Sequence, residues 1–142
     1  MPNKAQKKPY QSIYTTNKKN FRSATSLQEC FSILLRTTGV SVNLLARLTQ
    51  IPLSTVEKIR SGKTKNPAVR DLVALCLVFR LNFADCKFVL SWAERTFKPS
   101  ERQAYKAILQ HYATQNISYE LSAHYLDAAK QISKQFGFIG LV

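Results

Sequence analysis

Ser54, Glu57, Lys58 and Ser61 stand at i, i+3, i+4 and i+7 of one short stretch. On a helix that spacing gathers them into a single polar stripe. Small hydroxyls, one carboxylate and one ammonium are groups that hydrogen-bond rather than react. They suit the donor and acceptor edges of bases, and a narrow helix carrying them fits a major groove about 12 Å wide. Leu53 adds an apolar group at the tip of the same helix. The stripe alone does not decide, since many amphipathic surface helices share this pattern.

Nothing else in the chain suggests bond-making chemistry. His111 and His124 lie in the C-terminal part without an HExxH arrangement, and Gly39, Gly62, Gly137 and Gly140 build no phosphate-cradling loop. The acidic residues are scattered, so no carboxylate pair forms a general acid and base. Cys30, Cys76 and Cys86 are odd in number and far apart in sequence, each within a helical apolar pattern. They read as reduced core residues of a cytosolic protein; a zinc site needs more ligands at tighter spacing. No catalytic residue, metal or cofactor is expected, and no enzymatic activity.

The stretch that must position the stripe is residues 41–67. Ser41 can cap a helix from about Val42 to Leu48. Thr49, Gln50 and Ile51 form a short turn, and a second helix starts near Pro52–Leu53 and stops at Ser61. Val56 and Ile59 turn inward. Gly62 takes the left-handed position after the helix. A basic loop follows, with Lys63 and Lys65, and Asn66 can cap the next helix with Pro67 in its first turn. Lysines beside a helix start bind phosphate well.

The elements Leu45-Ala46, Ile51-Pro52-x-Ser54-Thr55-Val56, Ile59, Gly62-Lys63 and Thr64-Lys65-Asn66-Pro67 resemble the lambda-repressor-like helix-turn-helix family, the Cro/cI or XRE class of bacterial and phage regulators. The resemblance covers roughly residues 25–92. It implies that Ala46 is the small residue at which the two helices approach. It also implies that bases are read from Leu53, Ser54, Glu57 and Lys58. Phosphate contacts are expected from Ser41, Ser61, Lys63, Lys65 and Asn66. Two positions depart from the family pattern: Val42 stands where Gln usually holds phosphate, and Gln50 stands where the turn usually has Gly.

The chain has 142 residues, 45% of them hydrophobic, and a net charge of +13. Helical spacing dominates and no alternating strand pattern appears, so the expected class is all-α. The architecture expected is a lambda-repressor-like five-helix DNA-binding domain with two extra C-terminal helices. Residues 1–22 carry Lys4, Lys7, Lys8, Lys18, Lys19 and Arg22 and no acid. They read as a basic flexible arm that either tracks DNA or remains a loose tail; Tyr10, Ile13, Tyr14 and Phe21 hint that part of it packs on the body. Residues 23–98 form the helix-turn-helix domain. Residues 99–142, nearly neutral, form a helical extension and possible dimerisation element.

Within this frame, Ser26-Leu27-Gln28-Glu29 is a capping box for a first helix whose apolar stripe is Leu27, Cys30, Phe31, Leu34 and Leu35. A central helix is expected over Pro67–Phe79, a turn with left-handed Asn82, and a fifth helix over Phe83–Phe97. A second capping box at Ser100–Gln103 opens the sixth helix, and a seventh starts near Ser118. The apolar end, Phe136–Val142, either folds back on its own core or meets a second subunit. The longest apolar run, Leu72–Phe79, is too short to span a membrane.

These features point to a sequence-specific, repressor-like regulator in the cytoplasm of a bacterium or encoded by a phage. Its expected partners are double-stranded DNA and a second copy of the chain, with no membrane and no small-molecule substrate evident. The alternatives are a protein-interaction module, such as an antitoxin or antirepressor with a helix-turn-helix scaffold, and a binder of nucleic acid by charge alone.

Overall fold

The computed structural model describes residues 21–64, 66–113 and 125–138. Among them are seven α-helices and no strand: α1 Leu27–Thr38, α2 Val42–Thr49, α3 Leu53–Ser61, α4 Val69–Val78, α5 Phe83–Trp92, α6 Arg102–Ala113 and α7 Tyr125–Gln135. The all-α class expected from the spacing is the class observed. None of these helices is long and apolar enough to cross a membrane.

α4 is the axis of the fold. Every residue from Leu72 to Val78 is buried, and the helix packs against α2, α5 and α6. Around it α1 and α2 both lean on α3, while α7 rests on α6. The stripe of α1 is buried through Leu27, Cys30, Phe31 and Leu34, with Ile33 added. α6 contributes Ala104, Tyr105, Ile108 and Leu109 to the same continuous core. The join between α5 and α6 is aromatic: Phe83 stacks on Phe97 at 5.1 Å and Phe97 meets Tyr105 at 4.8 Å. Each such pair adds about 0.5–1.5 kcal/mol beyond its buried area.

The helix ends follow from local chemistry, with several departures from the sequence expectation. Ser26 Oγ accepts from Glu29 N–H at 3.0 Å, as a capping box requires. The Glu29 carboxylate, however, reaches back to the Thr25 N–H and hydroxyl, one residue beyond the expected partner. Ser41 caps α2 by accepting from Leu44 N–H. Asn66 does not cap the central helix, which begins at Val69 with Ala68 in the cap position. The first bond of that helix runs from Leu72 N–H to Ala68 C=O, so Pro67 lies before the helix, where it is buried.

After α4 the left-handed residue is Arg80 (φ 60°), not Asn82. The Arg80 and Leu81 N–H groups turn back onto Leu77 and Cys76 carbonyls, closing the helix. That frees Asn82 to cap α5, where its side chain accepts from Asp85 N–H at 2.8 Å. α5 stops at Trp92, five residues before the expected end. Glu94 takes φ 57° there, and Arg95 N–H folds onto Leu90 C=O. α6 begins at Arg102, with Tyr105 N–H on the Glu101 carbonyl, one residue later than a Ser100 cap would give. The expected start of α7 near Ser118 lies outside the described residues. At the C-terminal end Phe136 is 46% exposed, while Phe138 packs against the core.

Phe21 and Arg22, which composition places in the basic arm, are tied to α5. Phe21 is buried and meets the Phe88 ring edge-on at 5.3 Å. Arg22 pairs with Asp85 and lies over the same ring at 5.1 Å. Tyr10, Ile13 and Tyr14 lie outside the described residues.

Candidate nucleic-acid interface

α3 is held by its inner face. Val56 and Ile59 have no exposed surface, and each such buried side chain contributes about 1.5–3 kcal/mol to anchoring the helix. Ser54, Glu57 and Lys58 all face solvent and Ser61 is half-buried, so the polar stripe is where the spacing puts it. Leu53, at the helix start, is 44% exposed. An apolar group this exposed at a helix tip loses little by meeting the methyl of a thymine.

The turn before α3 is fixed by side-chain and backbone bonds. Thr49 is buried; its hydroxyl donates to the Leu45 carbonyl at 2.6 Å and accepts from Ile51 N–H. Gln50 adopts φ 63°, the left-handed conformation that glycine would take at no steric cost, and donates its N–H to Ala46 C=O at 2.9 Å. Pro52 occupies the cap position of α3, outside the first turn, and its carbonyl accepts from both Thr55 and Val56. Ala46 is partly buried and packs on the core.

At the other end, Gly62 takes φ 81°. A side chain there would also press on α1, since a Cβ would stand 3.3 Å from Gln28 Oε1. The Lys58 carbonyl accepts from the N–H groups of Lys63 and Thr64. The basic loop is therefore tied to the same turn of helix that carries the Lys58 side chain. Glu57 pairs with Arg60 at 2.9 Å, both ends well exposed, an arrangement that contributes only about 0.3–0.5 kcal/mol. It leaves Lys58 as the cation of the stripe.

The far end of the loop is clamped to the turn that follows α5. Asn66 donates from Nδ2 to the Ala93 carbonyl at 2.9 Å. Arg95 returns the bond, with Nε on the Pro67 carbonyl (3.0 Å) and Nη2 on the Asn66 carbonyl (2.8 Å). Sequence reading missed this clamp, because 27 or more residues separate the partners and no local pattern marks them. It also missed Trp92, 40% exposed, which lines a shallow cleft together with Gln28, Gly62, Thr64 and Asn66. As the single tryptophan of the chain, it is the sequence-visible feature that could have drawn attention to this cleft.

The structure thus places the expected site residues in two groups. Leu53, Ser54, Glu57 and Lys58 share the exposed part of α3. Ser61, Lys63 and Asn66 follow on its C-terminal side, with Lys63 and Asn66 exposed. Ser61 Oγ donates to the Lys58 carbonyl. Ser41 lies apart in sequence at the start of α2, exposed and engaged as the cap. Lys65 lies outside the described residues.

Residues 31–86, from within α1 to within α5, match the model of the Cro/C1-type HTH DNA-binding domain. This segment is a Cro/C1-type helix-turn-helix domain. The resemblance drawn from residues 25–92 therefore holds over the core of that range. No curated protein and no solved structure matches the chain. The Cro/C1-type domain accounts for α2, α3, α4 and their turns. The end of α5, with α6 and α7, is built onto it.

Proposed function

We propose that the protein is a sequence-specific transcriptional regulator of repressor type, of bacterial or phage origin, that acts in the cytoplasm by occupying an operator and carries out no reaction. The observation that supports this most is the exposed stripe of a capped, core-anchored α3 within a Cro/C1-type domain. In this reading Leu53, Ser54, Glu57 and Lys58 meet base edges in the major groove. Ser41, Ser61, Lys63, Lys65 and Asn66 meet phosphates, which set register but carry no sequence information. The net charge of +13, concentrated before residue 99, supplies the attraction to the backbone.

The test is selection of bound sites from random duplexes, followed by competition with random DNA at several salt concentrations. A specific regulator prefers its site by about 10³–10⁷. Lys58→Ala should relax preference at one base pair, where a Lys–guanine contact discriminates by about 1–3 kcal/mol. Equal loss on selected and random DNA would reduce Lys58 to a phosphate contact.

Domains of this kind commonly bind as dimers to half-sites about one helical turn apart. The exposed Phe136, at the end of a nearly neutral helical extension, favours a homodimer held by that region. Deleting residues 136–142 should then weaken operator binding without altering which bases are read. A full-length chain that occupies a single half-site as a monomer, with the affinity of the truncated form, would sink the dimer.

A further inference from the structure

A cavity of about 500 Å³ opens between the end of α5 and the start of α6, with no residue of α3 in its lining. Small-molecule sites run from about 300 to 1,000 Å³ and combine an apolar floor with a few placed polar groups. Here Leu90 and Phe97 supply the apolar part, and Phe97 is fixed in orientation by stacking on Phe83 and by contact with Tyr105. Around them stand Lys87, Arg95 and Arg102 against the single carboxylate of Glu94. Three cations and one anion around an aromatic floor select a ligand with an anionic group and a flat apolar body.

One of those cations belongs to the clamp. Arg95 gives two of its N–H groups to the carbonyls of Asn66 and Pro67, and guanidinium has five. Glu94 also faces both ways, lining the cavity and accepting from Asn66 Nδ2 at 3.4 Å. A carboxylate entering the cavity can first meet the remaining N–H groups of Arg95 and draw the guanidinium off those neutral carbonyls, because a bidentate guanidinium–carboxylate pair is stronger than single bonds to carbonyls.

We propose that this cavity is an effector site for a small aromatic carboxylate, and that occupancy releases Arg95 from the Asn66–Pro67 loop and weakens DNA binding. The second half rests on the reading of that loop as a phosphate contact; the first half does not. A ligand shifts an equilibrium only by its differential affinity for the two states. The differential contact here is Arg95, held by the loop in one state and by the ligand in the other.

The test uses the full chain, indole-3-propionate as the probe and 3-indolepropanol as its uncharged twin. In calorimetric titration without DNA, the acid should bind saturably, with a Kd below about 1 mM. The alcohol should bind at least tenfold more weakly. Arg102→Gln should narrow that preference for the acid, leaving the share due to Lys87 and Arg95, and Ser91→Trp, at an exposed position lining the cavity, should block both ligands. Arg36→Gln, on α1 and outside the cavity, should change neither. Absence of saturable binding, or equal affinity for acid and alcohol, overturns the site.

At saturating acid, affinity for a selected duplex should fall at least fivefold, and by linkage the duplex should weaken acid binding by the same factor. At the acid concentration that half-saturates the parent chain, Arg102→Gln should show a smaller shift, and Ser91→Trp none. Unchanged DNA affinity in the presence of bound acid overturns the coupling. A chain that prefers no duplex at all would instead sink the DNA reading, while the titration without DNA still decides the site.

Discussion

Arg22 and Asp85, 63 residues apart, meet through two N–H groups on one carboxylate oxygen, Nη2 at 2.7 Å and Nε at 2.9 Å. Asp85 is 2% exposed in the first turn of α5, whereas the Arg22 side chain keeps about a third of its surface in water. The pair ties Arg22, the last cation of the basic N-terminal segment, to α5. Removing one partner of a buried pair costs about 3–5 kcal/mol, because the other charge is left desolvated. With Arg22 partly solvated the expectation is smaller.

Arg22→Ala should therefore lower stability by about 1–3 kcal/mol, including the loss of the cation–π contact with Phe88. Urea unfolding measures it. Asp85→Asn on the Arg22→Ala background should cost little more, because the charge that had lost its partner is gone. Additive losses in this double-mutant cycle would show that the two side chains stabilise the fold independently.

Gln50 offers a change of the opposite sign. At φ 63° its Cβ is strained by about 1–2 kcal/mol relative to glycine, and its side chain is exposed. Gly returns part of this as added freedom of the unfolded chain. Gln50→Gly should raise stability by about 0.5–1 kcal/mol, read as a higher urea midpoint with an unchanged slope. Arg80 has nearly the same backbone, φ 60°, but is buried, with Nη1 on the Leu77 carbonyl. Arg80→Gly should therefore destabilise. Loss of stability on Gln50→Gly would mean that the glutamine side chain supports the turn.

The same two residues show how much of the fold was legible. The sequence marks Gln50 as a departure in a turn whose length and flanking caps are local, so its left-handed backbone follows from the motif. Composition points to Asn82 for the turn after α4, because asparagine tolerates that conformation best; the backbone instead turns at Arg80. Asn82 was worth more as a cap, a choice made by Asp85 N–H and the packing of α5. Local signals such as Ser26, Ser41 and Gly62 gave their helix ends correctly. The Asn66–Arg95 clamp, the Arg22–Asp85 pair and the cavity at Phe97 depend on residues brought together from distant parts of the chain, which no spacing rule encodes. The stripe on α3 was legible for the reason that it lies within one helix.

The Arg22 tether also sharpens what the N-terminal lysines do. Deleting residues 1–20 removes Lys4, Lys7, Lys8, Lys18 and Lys19 but keeps Phe21 and Arg22 in place on α5. The fold should survive with its melting temperature unchanged. If the segment lies on DNA, each phosphate it neutralises contributes about 0.9 to the slope of log affinity against log salt, so the slope should fall by about 2–4. Base preference should be unaltered, since Ser54 and Lys58 remain. An identical slope would show that the five lysines do not touch the duplex.

The three cysteines give the last prediction, on alkaline stability. Cys30, Cys76 and Cys86 come from α1, α4 and α5 and are all buried as free thiols. Burial pushes Cys30 up to about 12, helped by the neighbouring Cys76. The Cys76 thiol is also held well above the usual range, first by its hydrogen bond with Cys86 and then by burial. Tyr105, desolvated against the core, is likewise raised to about 12. In the unfolded chain these groups ionise at their ordinary values, near 9 for the thiols and 10 for the phenol. Between about pH 9 and 12 the unfolded state therefore binds fewer protons than the native one. Stability must fall with rising pH, by up to about 1.4 kcal/mol per pH unit for each such group. Below about pH 8 these groups are protonated in both states and leave stability flat. Urea midpoints measured from pH 7 to 11 should show the decline, and Cys30→Ala should make it shallower by one group's share. Comparing the two proteins cancels the parallel loss of lysine charge, which is common to both. If Cys30→Ala and the parent decline in parallel, Cys30 is not a source of the alkaline loss.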